Sequence, residues 1–216
     1  MKRLLAHRNI IYMHLIKLVS EELTPSKVVC VGRNYTAHIA ELNNETPDQM
    51  VLFNKPNSAI TTRLNSAHNG DTLHYETELC FVVKNKKFVG VGLGLDLTKR
   101  TVQSKLKNKG LPWERAKAFD GSVILTDFVE LTDAMQHFTF ELKINNVVIQ
   151  QGDTHFMLHN PESILQNISE FMSLEDGDVI MTGTPSGVGE VTAKSIFAVA
   201  LYANDQCLLE HHWQAS

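Results

Sequence analysis

No stretch of this 216-residue chain is apolar for long enough to span a membrane. No basic run is interleaved with aromatic residues, and the formal net charge is −4, so neither a nucleic-acid nor a membrane partner is expected. Cysteine is scarce: Cys30, Cys80 and Cys207 are widely spaced and form no CxxC pair. A disulfide framework is thereby excluded, and buried structural thiols in a reducing cytoplasm are expected. The opening "MKRLLAHRNIIYMHLIKLVS" is basic and then apolar. His7, Arg8, Asn9, His14 and Lys17 interrupt it and no small-residue cleavage site follows, which argues against a signal peptide. Internal repeats and low-complexity segments are missing too. What remains is ordinary globular composition, 43% hydrophobic and 20% charged, long enough for one sizeable core.

The patterning is strand-dominated. "KVVCVG" (27–32) reads as a buried strand ending at a glycine, and "RNYTAHIAEL" (33–42) has helical spacing. "MVLFNKPNSAI" (50–60) is a strand broken by Pro56, and Asn69-Gly70 marks a tight hairpin turn. "LHYETELCFVV" (73–83) reads as one strand, turned by "NKK" into "FVGVGLGLDLT" (88–98). A helix over 99–110 closes at Gly110, with Pro112 beyond it. Strands follow over 122–130 and 138–152, the latter turning at Asn145-Asn146. "NPESILQNISEFMSL" (160–174) predicts an amphipathic helix capped by Asn160, with Phe171 and Met172 in its apolar stripe. Residues 195–213 read as a closing hairpin, and residues 1–26 as an extension, either helical or unstructured at its start. Few helices without regular βαβ alternation give an α+β chain with a mixed or antiparallel core.

Within the strand at 73–83, Glu76 and Glu78 stand at i and i+2 and so share a face. Two carboxylates there are either solvated on an edge or gathered by a cation. The neighbouring run "GVGLGLDLTKR" contains a single acidic residue, Asp96. If the two runs pair, three carboxylates converge, and buried without a cation they would not stay ionised. A magnesium ion takes such oxygens and keeps further positions for water or substrate. "GVGLGLD" lacks the helix and glycine spacing of a dinucleotide fingerprint, and "GTPSGVG" lacks the Gly-Lys-Ser/Thr of a phosphate loop. The latter is either a tight turn or a loop whose N–H groups face an anionic substrate. His38 and Glu41, at i and i+3 on the expected helix, are neighbours: a surface pair, or a base with its carboxylate. Lys117 either pairs with Glu114 or Asp120 or offers a cation to an anionic substrate, and Lys55 before Pro56 invites the same two readings.

In this order, "CVGRNYTAHIAEL", "LFNKPNSAI", "HYETELCFVV", "LDLTKRTVQSKLKNKGLPWERAKAFDGS" and "LEDGDVIMTGTPSGVG" resemble the fumarylacetoacetate hydrolase family, over about residues 28–190. They are closest to its small acylpyruvate hydrolase and oxaloacetate decarboxylase members. The resemblance implies a mixed β-roll of that family's C-terminal-domain type with a few short helices. It implies one catalytic domain over 27–216 behind an extension over 1–26, and a homodimer. It makes Glu76, Glu78 and Asp96 the ligands of Mg2+, for which Mn2+ or Ca2+ can substitute. It makes His38, Glu41 and Lys117 catalytic, the first two on a lid, and puts Arg33, Tyr35, Lys55, Gln103 and Thr184 in the substrate pocket. The implied reaction is C–C hydrolysis of acylpyruvates, with decarboxylation or tautomerisation of oxaloacetate on the same small 2-oxo acid site. Its rivals are an isomerase or hydratase of unsaturated 2-oxo acids, and a non-catalytic ligand-binding member of the fold.

Overall fold

The computed structural model describes residues 13–43, 45, 47–132, 135 and 137–216. A mixed sheet of eight strands forms the centre. Its order is Val51–Pro56, Lys27–Gly32, Val179–Met181, Thr77–Lys84, Lys87–Asp96, Val123–Leu125 and Ile60–Thr61, with Val129–Glu130 also pairing with Lys87–Asp96. Lys27–Gly32 runs parallel to Val179–Met181, and Ile60–Thr61 parallel to Val123–Leu125; the other pairs are antiparallel. An antiparallel sheet of four strands, ordered Val147–Asp153, Phe138–Ile144, Ile196–Ala203 and Gln206–Gln214, packs against it. Among the described residues there are four short α-helices: α1 (Thr36–Glu41), α2 (Arg100–Asn108), α3 (Glu114–Lys117) and α4 (Pro161–Ser169). None of the helices among the described residues is long and apolar enough to cross a membrane.

Thr77–Lys84 explains the layering. Its first seven residues are all buried, because both faces of the strand are covered, which is why it reads as a continuous apolar run rather than an alternation. Leu79 and Phe81 point toward the four-stranded sheet and meet Phe138, Phe140, Leu142, Phe197 and Leu201. Cys80 and Val82 point the other way, into a second core with Val28, Cys30, Met181 and Phe128. Burying a side chain of this size contributes on the order of 1.5–3 kcal/mol. Helix α4 covers one face of the sheet by burying Ile164 and Ile168 against Val29, Val31 and Ile180. Asn160 caps it, accepting the Ser163 N–H at 2.8 Å, and Pro161 follows as the first helical residue.

Several expectations are redrawn. In place of a helix, residues 16–23 form a hairpin, Ile16–Leu18 with Glu21–Leu23, and Ile16 and Leu18 join the second core. The first 12 residues of the extension, with His7, Arg8 and Asn9, lie outside the described residues. The strand over 73–83 is two strands, His74–Tyr75 and Thr77–Lys84, with Glu76 at the break. The strand over 122–130 divides because the Thr126 hydroxyl and backbone N–H both bond to the backbone of Leu93, which bends the chain. Helix α4 stops at Ser169, leaving Phe171 63% exposed rather than in the apolar stripe. Helix α1 starts only at Thr36, because Arg33 takes a left-handed conformation (φ 59°) and Tyr35 is extended. The Asn69-Gly70 and Asn145-Asn146 turns form as expected, each with two positive φ angles, the geometry that matches strand twist.

Candidate active site

In the antiparallel pairing of Thr77–Lys84 with Lys87–Asp96, Glu78 stands opposite Gly94 and Thr77 opposite Leu95. One step further, the Asp96 N–H donates to the Glu76 carbonyl at 2.9 Å, so the register persists through the break. Glu76, Glu78 and Asp96 therefore share one face. A carboxylate oxygen from each lies within 4.8 Å of the others, and all three residues are buried.

Three cations answer these carboxylates. Lys117 donates to Glu76 Oε2 and Asp96 Oδ2, each at 2.7 Å, and to the Thr98 hydroxyl at 2.6 Å. It thus meets the carboxylate cluster rather than Glu114 or Asp120. Lys55, wholly buried, lies 2.8 Å from Asp96 Oδ1 and donates to the carbonyls of Ser122, at 2.9 Å, and Lys117. Its donors are spent inside the fold, where it props Asp96. Arg100 pairs with Glu76 Oε1 and donates to Gln103 Oε1 at 2.8 Å, so Gln103 reaches the cluster through Arg100. Burial alone would favour a neutral Glu76, but Lys117 and Arg100 outweigh it and hold its carboxyl well below the usual range. Burial would also strip the Lys117 proton, yet Asp96 and Glu76 raise its pKa above the ordinary lysine value. Glu78 is the exception. Burial, then the charges of Asp96 and Glu76, push its carboxyl well above the usual range.

The loop "TGTPSGVG" meets anions, but they are the protein's own. The Gly183 N–H donates to Glu78 Oε2 at 2.8 Å, and the Gly187 N–H to Glu41 Oε1 at 2.9 Å. Both glycines have positive φ (98° and 99°), and a Cβ at Gly187 would lie 2.3 Å from the Ile149 carbonyl. Thr184 turns its hydroxyl to Gln150, which donates to it at 2.9 Å and accepts the Thr77 N–H at 3.0 Å. Gln150 thereby ties the loop to the strand that carries the glutamates.

Helix α1 lies over this floor. His38 Nδ1 is 3.1 Å from Glu41 Oε2. An ionised carboxylate only accepts, so Nδ1 carries the proton and Nε2 presents its lone pair. The helix is near enough that His38, whenever it takes up a second proton, helps to lower Glu76. Tyr35 is buried at its start. Burial, followed by the charges of Glu78 and Asp153, raises its phenol far above the ordinary tyrosine value. Arg33 reaches sideways to the Glu45 carbonyl at 3.3 Å.

The model of the fumarylacetoacetate hydrolase C-terminal family matches residues 27–212. The chain belongs to that family. The oxaloacetate tautomerase YcgM of Escherichia coli is 41% identical over 181 residues, which cover 76% of this chain and 83% of that one. The mitochondrial oxaloacetate tautomerase of Homo sapiens is 37% identical over 76% of this chain and 81% of its own. Among solved structures, a putative fumarylacetoacetate isomerase/hydrolase from Oleispira antarctica superposes with a TM-score of 0.89 at 36% identity, covering 94% of this chain and all of that one. The fumarylpyruvate hydrolase of Pseudomonas aeruginosa, solved with Mn2+ and pyruvate, shares the fold at a TM-score of 0.83 and 24% identity, covering 94% and 95%. The family's mixed β-roll is thus the fold of this chain.

The donors of this family member suit a hard divalent cation. They are three carboxylates with no sulfur or imidazole among them. Of the three, Glu78 has no side-chain cation of its own among the described residues, only the Gly183 N–H, and a divalent ion held there would supply the missing charge. Arg100, Thr98 and Gln150 also shape the site, although the sequence reading had not singled them out. Arg100 offered a faint signal, four residues after Asp96 in "DLTKR". Gln150 offered none, because only the folding of the 138–153 hairpin brings it beneath Thr77.

Proposed function

We propose that this chain is a Mg2+-dependent enzyme of small 2-oxo acids whose principal reaction is the keto–enol interconversion of oxaloacetate. The observation that carries it is a pairing: a histidine fixed with Nε2 free, held by Glu41 over a buried carboxylate cluster that matches a hard cation. The sequence resemblance alone puts C–C hydrolysis first. Relatives such as YcgM, an oxaloacetate tautomerase at 41% identity, put tautomerisation first instead. The cation, when bound, supplies Lewis acidity toward the keto and carboxylate oxygens of a 2-oxo acid.

The remaining roles belong to the protein. Toward the enol, His38 Nε2 takes a proton from C3 and the imidazolium gives it up to the C2 oxygen; toward the keto form the same two transfers run in reverse, and Glu41 stabilises the imidazolium through Nδ1. Lys117 has spent its donors on Glu76, Asp96 and Thr98, so it acts by charge, offsetting the negative charge that develops on the substrate. Lys55 and Gly183 hold Asp96 and Glu78 in place. Arg33 and Arg100 bring positive charge to the mouth, which suits a dianionic substrate. Hydrolysis of an acylpyruvate is the second reading, since the same Nε2 can take a proton from water. A reducing compartment, the cytoplasm, suits the free thiols of Cys30, Cys80 and Cys207. A homodimer is part of the proposal. Val147, Val148 and Ile196, all exposed, lie toward one end of the four-stranded sheet, and covering them would bury apolar surface.

One panel tests the reading. Purified enzyme with Mg2+ is given enol-oxaloacetate, keto-oxaloacetate and acetylpyruvate, and enol absorbance, carbon dioxide and pyruvate are followed together. Enol decay should be accelerated most. Acetylpyruvate cleavage as the fastest reaction would promote the second reading, and no turnover of any of the three would overturn both.

A further inference from the structure

A second group of donors lies outside the carboxylate cluster. Asp153 ends the strand Val147–Asp153, His155 follows in the 3-10 turn Thr154–Phe156, and His137 enters the neighbouring strand Phe138–Ile144. The pairing of Thr139 with Asp153 brings the three together. His137 Nε2 is 2.8 Å and His155 Nδ1 3.5 Å from the same oxygen, Asp153 Oδ1. The two imidazoles stack with centroids 4.1 Å apart and planes at 17°. That oxygen also accepts the His155 N–H at 2.7 Å, so three nitrogens crowd one carboxylate oxygen.

We infer that His137, Asp153 and His155 form a separate site for a zinc-like transition-metal ion. A cation relieves the crowding by taking both ring lone pairs and the carboxylate together. Bond lengths of roughly 2.0–2.2 Å in a tetrahedron set donors about 3.3–3.5 Å apart. The observed separations of 2.8 and 3.5 Å need only small adjustment to reach that spacing. His137 and Asp153 are half-buried and held against each other. The His155 side chain is 73% exposed and free to turn its lone pair out of the stack toward the ion. Two imidazoles and one carboxylate suit zinc, copper or nickel, whereas magnesium suits the all-oxygen set of Glu76, Glu78 and Asp96. A fourth position is left for water. The site sits at the root of the lid: Met157, just past the turn, pairs with Tyr35, and His159 donates to Asn34 Oδ1 at 2.8 Å.

The test uses the full chain saturated with Mg2+ and titrated with Zn2+ against a chromophoric chelator. Zinc should bind one ion per chain in the presence of Mg2+. His137→Ala and His155→Ala should each weaken it by about tenfold or more, on the scale of losing a metal-site residue. Glu78→Gln should leave it unchanged. Co2+ should show tetrahedral visible bands that vanish in His155→Ala, a variant that removes only an exposed ring and whose thermal unfolding should match the parent. Zinc binding that survives His155→Ala and disappears in Glu78→Gln would overturn the assignment, as would no zinc binding at micromolar concentration.

Discussion

Glu76, Glu78, Asp96 and Lys117 stand on or against strands buried on both faces, and each has a partner within the fold. His38 and Glu41 ride on a six-residue helix without a side-chain cap, and the Glu41 side chain is 31% exposed. Beyond its pairing with His38, Glu41 is tethered to the body by the Gly187 N–H. The contrast separates two tasks. The floor must keep like charges together, which takes buried counter-charges and a rigid sheet. In the proposed reaction the lid carries a proton to and from a substrate that has to enter, which takes a histidine on an element that can move. Changes in the floor should therefore affect stability and activity together, and changes in the lid should affect activity alone.

Lys117→Met should be the largest break. It leaves Glu76 and Asp96 without their shared ammonium, and removing one partner of a buried ion network costs about 3–5 kcal/mol. Chemical denaturation should register that loss, and turnover should vanish. A variant with normal stability would place Lys117 outside the floor. His38→Ala should do the opposite. Tautomerisation and acylpyruvate hydrolysis should fall by about 10²–10⁴, the usual share of a general base. Carbon dioxide release from oxaloacetate, which needs no base, should change far less, and the unfolding midpoint should stay put. Equal losses in all three reactions would argue that His38 binds substrate rather than carrying a proton.

Asp178 extends the comparison to a structural carboxylate. It is fully buried and accepts from Ser26 N and Oγ, each at 2.8 Å, Lys27 Nζ at 2.6 Å and Glu175 N at 2.9 Å. Burial opposes its charge, but Lys27 and the surrounding N–H donors outweigh burial and lower its pKa. A carboxyl held below its ordinary value, about 3.9, stabilises the fold above that value and ceases to do so as pH falls through the folded value. Asp178→Asn should therefore cost on the order of 1.5–3 kcal/mol near neutrality, the worth of a bond to a charged group. The difference from the parent should close below about pH 4, as urea titrations across pH would reveal. A deficit that persists unchanged in acid would show that shape rather than charge is at work. Gly187→Ala should be the mildest of the set. Its Cβ meets the Ile149 carbonyl, so the loop must shift and loosen Glu41, lowering turnover by about tenfold with little change in substrate affinity.

The two regions also differed in how far the sequence disclosed them. The two-residue strand period placed Glu76 beside Glu78, and pairing with "GVGLGLD" brought in Asp96, because strand geometry is local and regular. The i, i+3 spacing of His38 and Glu41 was legible for the same reason. The floor's counter-charges were harder to assign. Lys55 reaches Asp96 across 41 positions, and Arg100 reaches Glu76 only because α2 turns back over the sheet. Such contacts are set by tertiary packing, which no local spacing encodes. The start of α1 is not legible in the sequence because a left-handed Arg33 carries no glycine or asparagine signal. The hairpin over 16–23 was missed because its strands are three residues each, too short to show a period.

The proposed reaction requires Glu76, Glu78 and Asp96 to hold one divalent cation that the enzyme uses. The direct test is a calorimetric titration of Mg2+ into the parent and into Glu78→Gln, with enol-oxaloacetate decay followed on the same samples. The parent should bind one ion per chain and accelerate the decay only when Mg2+ is present. Glu78→Gln should lose both, while remaining at least as stable as the metal-free parent, since one of three crowded like charges is gone. Full activity in Glu78→Gln with the metal chelated would contradict the account.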